Sequence, residues 1–221
     1  MIRYLYADQL SNFPVLAESM FQHRAVQFKQ RLDWEVSVDE RGWEMDQYDA
    51  MNPLYIIWEN SDGTHGGSVR IMPTTGRIMT NEHFLHLTGG VKIQSPFIWE
   101  CTRFCLAPDG TAGVAAALLV AGVELGLRFG LDQAVGVVYS KTIPLYRRIG
   151  SMPDIIGSDG NGRDEISVGL WPITVEARAE ISRKSGIPLS VIARWFDASF
   201  GPEAATSAAP AAVVDEVRVA A

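Results

Sequence analysis

Phe97-Ile98-Trp99-Glu100-Cys101-Thr102-Arg103-Phe104-Cys105-Leu106 decides the fold, together with the segments downstream of it. Next come the turn Pro108-Asp109-Gly110, an Ala- and Leu-rich run from Thr111 to Phe129, the stop at Gly130 and the Val-rich segment Gln133-Ala134-Val135-Gly136-Val137-Val138-Tyr139. The first and last segments read as strands, the last as a buried one, because apolar residues run unbroken between turn residues. The run between them has the composition and glycine stop of a helix. Strand, helix, strand is a crossover that joins two parallel strands with a right-handed connection.

Outward from this unit, Leu54 to Glu59 and Thr64 to Met72 flank Asn60-Ser61-Asp62-Gly63 and predict a hairpin. Pro14 to Arg31 places Leu16, Met20 and Val26 at helical spacing. Leu32 to Asn52 has no sustained period and carries Trp34, Trp43 and Tyr48 among many charges, so it reads as a structured loop with functional side chains. Downstream lie short helices at Asn81 to Leu87 and Ile143 to Arg148, weaker strands at Ile155 to Gly157 and Glu165 to Leu170, and helices at Val175 to Ser185 and Pro188 to Phe200. The expected class is α/β: a three-layer α/β/α sandwich on a central mixed, twisted sheet. One domain is expected over residues 1–200, with an Ala-rich, disordered tail over 201–221.

The 221 residues fit a single large domain, and a 47% hydrophobic content supplies its core. A net charge of −7 argues against a non-specific nucleic-acid binder but leaves room for a local basic patch. Cys101 and Cys105, the two cysteines, are four apart in one strand. Spaced so on one face they stand about 13 Å apart, too far for a disulfide. The start, Met1-Ile2-Arg3-Tyr4, lacks the apolar core of a leader peptide, and the apolar stretch Val114 to Val123 is too short to span a bilayer. His23, His65, His83 and His86 show no metal-ligand spacing and suit surface or capping roles. The expectation is a soluble cytoplasmic protein with no nucleic-acid, membrane or metal partner.

Charges stand where charges are awkward. Glu44, Asp46 and Asp49 fall within six residues of the long loop, while Arg70, Glu100 and Arg103 interrupt strands that otherwise read as buried. Such groups are costly unless paired or used. Arg70 and Arg103 bonded to Glu44, Asp46 or Asp49 would pin the loop to the sheet, with or without chemistry. Glu100 differs: a desolvated carboxylate has a raised pKa and accepts a proton near neutrality. The plainer reading is a carboxylate satisfied by an arginine. Arg24 and Phe28 share a helix face, and Phe28 with Trp34 could stack on a flat ring or a sulfonium, or simply be core.

In order and spacing these residues resemble the acyl-homoserine-lactone synthases, the autoinducer synthases of bacterial quorum sensing. The family pattern is Arg-x-x-x-Phe then Trp, Glu-x-Asp-x-x-Asp, Arg before Pro-Thr, and Glu-x-x-Arg-Phe. Arg24, Phe28 and Trp34, then Glu44, Asp46 and Asp49, then Arg70 ahead of Pro73-Thr74, then Glu100, Arg103 and Phe104 fill it. The resemblance covers Met1 to about Phe200. It implies a GNAT-like fold and two substrates: S-adenosylmethionine, and a fatty acyl thioester on acyl carrier protein or coenzyme A. No cofactor is implied.

The resemblance also implies roles. Glu100 would be the general base, Asp46 would orient the amine, and Arg103 would polarise the thioester. Arg24, Phe28, Trp34 and Glu44 would bind S-adenosylmethionine. Asp49, Arg70 and Phe104 would hold the site together, and backbone N–H groups of a splayed strand near Arg103 would hold the oxyanion. Thr102, Val138, Tyr139 and Ser140 would line the acyl pocket. Relatives carry a Thr on the equivalent of the Gln133–Tyr139 strand for 3-oxo chains, so Val137-Val138-Tyr139-Ser140 leans toward an unsubstituted or 3-hydroxy chain. Lys141, Arg147 and Arg148 are candidates for docking an acidic carrier, or simply cap and solvate a helix. The alternative is a GNAT-like N-acetyltransferase using acetyl-CoA, for which Pro108-Asp109-Gly110-Thr111-Ala112-Gly113 is only part of a pyrophosphate loop. A silent binding module would be expected to lose Glu100 or Arg24.

Overall fold

A computed structural model describes residues 1–201. The tail expected to be disordered lies, past Gly201, outside the described residues. Seven strands form one sheet: β1 (Ile2–Tyr6), β2 (Leu54–Glu59), β3 (His65–Pro73), β4 (Ile98–Leu106), β5 (Gln133–Tyr139), β6 (Asp154–Asp159) and β7 (Ile166–Pro172). Their order is β1-β2-β3-β4-β5-β7-β6, and every neighbouring pair is antiparallel except β4 and β5. The parallel pair is the one joined by the predicted crossover helix, α3 (Ala112–Phe129), which follows α1 (Pro14–Ala25) and α2 (Met79–His83) along the chain.

Alternation along the strands sends side chains to two faces. Ile2, Tyr4, Leu54 and Ile56 pack with Ala117, Leu118, Ala121 and Leu125 of α3. Leu5, Tyr55 and Ile57 pack with Leu16, Met20 and Phe21 of α1 on the other face. Three further helices, α4 (Ile143–Ile149), α5 (Val175–Ser185) and α6 (Leu189–Phe200), come later in the chain, and α5 and α6 complete the α3 layer. The result is the expected three-layer sandwich on a mixed sheet. By length and composition α3 could cross a membrane, being longer than the Val114–Val123 run suggests, yet it is a core helix with Ala115, Leu118, Val120 and Leu125 fully covered. Gly126 lets it approach Ile173, since a Cβ there would meet Ile173 Cγ2 at 2.7 Å.

Three local features position the site. β1, for which the sequence carries no strand signal, is a five-residue edge strand on β2. The helix predicted to reach Arg31 does so, but its last turn, Val26–Arg31, is wound as a π-helix, a widening that recurs at functional sites. β4 carries a bulge: Ser68 pairs with Cys105 and Arg70 with Thr102, so three steps on β4 face two on β3. Arg103 sits in that bulge at φ 54°, a left-handed conformation unfavourable for an L side chain. The bulge shifts the alternation. Glu100, Thr102, Arg103 and Cys105 look toward α1, while Phe104 joins Trp99 and Cys101 on the α3 core. The two cysteines, expected on one face, are therefore on opposite faces, both buried deeply enough to push their thiol pKa values up to about 12.

Candidate active site

Three arginines and three carboxylates close a network between α1, the long loop and the sheet. Arg24 donates from Nε to Glu44 (2.7 Å) and from both Nη atoms to Asp49 (3.0 and 2.9 Å). Arg70 donates to Thr102 Oγ1 (3.0 Å), to both oxygens of Asp46 (2.5 and 2.9 Å) and to Asp49 (2.9 Å). Arg103 reaches Glu44 through Nε (3.1 Å) and Asp46 through Nη2 (2.8 Å). The loop is fixed locally as well, because the Asp46 N–H donates to Asp49 and the Tyr48 N–H donates back to Asp46. Arg24, Arg70, Glu44 and Asp49 are buried. Burial alone would raise the pKa of Asp49, but Arg24, Arg70 and the Tyr55 hydroxyl overcome it and hold the carboxyl well below the ordinary range. Three positive and three negative groups balance, and each carboxylate is occupied by guanidinium donors.

Glu100 stands outside this balance. It is 1% exposed, and its oxygens accept the backbone N–H groups of Met79 (3.0 Å) and Thr80 (2.6 Å) at the start of α2. The arginine partner considered from sequence is not there: Arg103, three residues on, is turned to Glu44 and Asp46. Burial raises the pKa of Glu100, opposed only in part by the bonds from Thr80 and Met79 and by the charge of Arg70. The β4–β5 ladder runs from Ile98–Gln133 and ends at Glu100–Val135, although β4 runs on to Leu106 and β5 to Tyr139. Past that point the two strands part, leaving edge groups of β4 unpaired with β5 next to the bulge.

An aromatic column spans the front of this gap. Phe28 of the π-turn stacks on Trp34 (5.0 Å, 10°), Trp34 lies 5.9 Å from Tyr139 at the end of β5, and Lys141 Nζ sits 4.4 Å from the Tyr139 ring. Asp33, at φ 54°, turns the chain so that Trp34 reaches across. Two hollows run along α1, of about 610 Å³ between its outer side and Val36–Gly42, and of about 430 Å³ reaching Asp49 and Tyr55 from Leu10 and Phe21. Neither is lined by Glu100.

Several expected positions differ. Arg24 and Glu44, expected on a substrate wall, lie inside the network at 1% and 0% exposure. Phe104, expected with the network, packs on the opposite face with the α3 core. The four acyl-pocket candidates are divided: Thr102 is a partner of Arg70, Tyr139 meets Trp34, and Ser140 donates to Glu165 (2.7 Å). Val138 alone faces the α3 side, in a cluster with Tyr146 and Trp171. His65 is no surface group. It is buried, its Nδ1 is 3.0 Å from that of His23, its Nε2 is 2.9 Å from Ser68 Oγ, and burial lowers its pKa to about 3. Sequence reasoning misses Tyr55, Met79, Thr80, Tyr146 and Trp171. Only Tyr55 carries a sequence signal, a phenol in a strand of aliphatic residues. Among the described residues there is no group of three or more side chains suited to a metal ion.

The family model described as autoinducer synthase matches residues 9–181. The acyl-homoserine-lactone synthase of Rhizobium etli is 37% identical over 194 residues, covering 83% of this chain and 91% of that protein. Among solved structures, the synthase LasI matches at 25% identity with a TM-score of 0.72, covering 82% of this chain and 93% of that one. MesI, described as a CoA-dependent acyl-homoserine lactone synthase, shares the fold at 24% identity and a TM-score of 0.75, covering 85% and 96%. With most of its length matched by that model, and with the arginine–carboxylate order of its motif gathered around one gap in the sheet, the chain belongs to the autoinducer synthase family.

Proposed function

We propose that the protein makes N-acyl-L-homoserine lactone from S-adenosylmethionine and a fatty acyl thioester, releasing methylthioadenosine. The amine of S-adenosylmethionine attacks the thioester carbonyl, the thiol leaves and an amide forms. The methionine carboxylate then displaces the sulfonium at the γ-carbon and closes the lactone, a step governed by proximity rather than proton transfer. A solved relative described as holding S-adenosylmethionine and isopentyl-CoA, 22% identical, supports the choice of both substrates. The acetyltransferase alternative is not favoured.

The observation that carries this reading is Glu100. It is the carboxylate beside the β4–β5 gap that no guanidinium neutralises, and its raised pKa fits a base for an ammonium. Amide N–H groups of β4 past Glu100 supply oxyanion donors, and Phe28 with Trp34 supplies aromatic faces for the sulfonium or adenine. Asp46 and Arg103, part-exposed at the network's edge, orient the amine and polarise the thioester. Arg24, Glu44, Asp49 and Arg70 keep the loop in place. The donor is acyl carrier protein or coenzyme A, with Lys141, Arg147 and Arg148 as the carrier's dock. Both substrates are made in the cytoplasm, where the enzyme would work.

The test is incubation of purified protein with S-adenosylmethionine and a panel of acyl carrier and acyl-CoA thioesters, read by mass spectrometry. Methylthioadenosine and acyl lactone should appear together. Amide formation from acetyl-CoA and simple amines, with no lactone from any longer donor, would overturn the reading.

A further inference from the structure

Behind the gap, on the α3 side, Val138, Tyr146 and Trp171 form a small cluster with Leu119, Ala134 and Ile143. All of its members but Tyr146 are apolar or already satisfied: the Trp171 indole donates to Ser151 O at 2.9 Å. Tyr146 lies on α4 with its ring 5.3 Å from that of Trp171 and is 8% exposed. Among the described residues no group hydrogen-bonds its hydroxyl. Its pKa is raised by burial and by the neighbouring Cys101, with no hydrogen bond contributing. The phenol is mostly covered but its oxygen keeps some accessible surface, and a donor that no described group accepts is open to a ligand atom.

Its place says which atom. Gly136 of β5 lies against both Cys101 and Trp171: a Cβ there would crowd the Cys101 carbonyl at 3.0 Å and touch Trp171 Cζ3 at 3.4 Å. Cys101 and Gly136 are the first residues beyond the last β4–β5 pair, Glu100–Val135. The Tyr146–Trp171 pair therefore abuts the back of the gap, within the first few carbons of a chain whose carbonyl lies at the parting strands. A fatty acyl thioester carries its common polar substituent there, a hydroxyl or ketone on carbon three. We propose that the Tyr146 hydroxyl is a specificity-determining group that favours acyl donors oxygenated at carbon three over unsubstituted ones. The inference rests on the lactone-synthase reading and deepens it. The phenol, kept protonated, donates to either oxygen, and it can accept only from the hydroxyl.

The test compares wild type with Tyr146→Phe, which keeps the ring and removes the hydroxyl. Octanoyl, 3-hydroxyoctanoyl and 3-oxooctanoyl thioesters compete for one enzyme sample, and product ratios give relative kcat/KM. Wild type should prefer an oxygenated donor, and the variant should reduce that preference about tenfold, the effect of one hydrogen bond. Loss against both oxygenated donors means donation alone; loss against the hydroxyl donor only means that acceptance contributes. In parallel, calorimetry measures binding of octanoyl and 3-hydroxyoctanoyl homoserine lactones to both proteins. A preference unchanged by the substitution in turnover and in binding overturns the proposal, as does a wild type that favours the unsubstituted chain. If wild type makes no lactone from any donor, the lactone-synthase reading fails, and the binding difference still decides Tyr146.

Discussion

Asp49→Asn tests whether the buried network acts as one charge-balanced unit. Asp49 accepts two bonds from Arg24 (3.0 and 2.9 Å), one from Arg70 (2.9 Å) and one from the Tyr55 hydroxyl (2.5 Å). An asparagine amide keeps one acceptor oxygen and turns an N–H₂ group toward guanidinium donors. It also leaves three arginines facing two carboxylates, with Arg24, Arg70 and Glu44 among them buried. Single charge-assisted hydrogen bonds contribute about 1.5–3 kcal/mol, but they are not additive, and breaking one side of a buried pair costs about 3–5 kcal/mol in total. The upper figure is a large part of a domain stability of roughly 5–15 kcal/mol. At about 2–4 °C per kcal/mol, the melting midpoint should fall by about 10 °C. Urea unfolding monitored by circular dichroism gives the free energy directly, with Glu180→Gln, which removes an exposed partner of Arg183 and Lys184, as a control expected to leave the midpoint in place. A loss below about 1 kcal/mol for Asp49→Asn would refute the argument that these charges are desolvated and mutually dependent.

Glu100→Gln should lower turnover about 10²–10⁴-fold, while calorimetry finds S-adenosylmethionine bound nearly as in wild type; wild-type turnover would remove Glu100 from the base role. Arg103→Gly and Arg103→Ala both lose the guanidinium, but φ 54° favours glycine, so the Gly variant should unfold at higher urea by about 1 kcal/mol; equal midpoints would mean that the bulge carries no backbone strain. His65 has a folded pKa of about 3 against an ordinary 6.5. The unfolded chain thus takes up a proton that the fold refuses as pH falls below 6.5, and stability declines by up to about 1.4 kcal/mol per pH unit toward pH 3. His65→Asn should flatten that part of the profile relative to wild type, and parallel profiles would rule out His65 as its source.

Much of this architecture is legible because local signals agree with the tertiary environment. The strands Leu54–Glu59 and Gln133–Tyr139 and the helix Val175–Ser185 have the bounds that turn residues on either side dictate. β1 escapes such reading because Met1-Ile2-Arg3-Tyr4-Leu5-Tyr6 is short, carries an arginine and gains its partner only when β2, some fifty residues later, is in place. The site's membership is readable as charges in apolar runs. Who pairs with whom is not. Strict alternation along β4 would put Thr102 and Arg103 on opposite faces, and the Arg103 bulge cancels that rule at the point where it matters. The same shift accounts for the misplacement of Phe104 and of the two cysteines. For the acyl pocket the difficulty lies at the end of β5: Val138 and Tyr139 are neighbours on opposite faces, and Ser140 already lies past the strand, bonded to Glu165.

Tyr4 lies on β1, yet its backbone N–H donates to Ser199 Oγ (3.2 Å), its hydroxyl to Ala121 O (3.0 Å), and its ring rests 5.7 Å from both Phe196 and Phe200. During translation this edge strand leaves the ribosome among the earliest residues, and α6 among the latest of those described. α3 covers part of the Tyr4 face of β1, and the remainder waits for Phe196 and Phe200. The first strand made and the last described helix are thus joined in one aromatic cluster, so the full cover of this sheet margin needs both ends of the described chain.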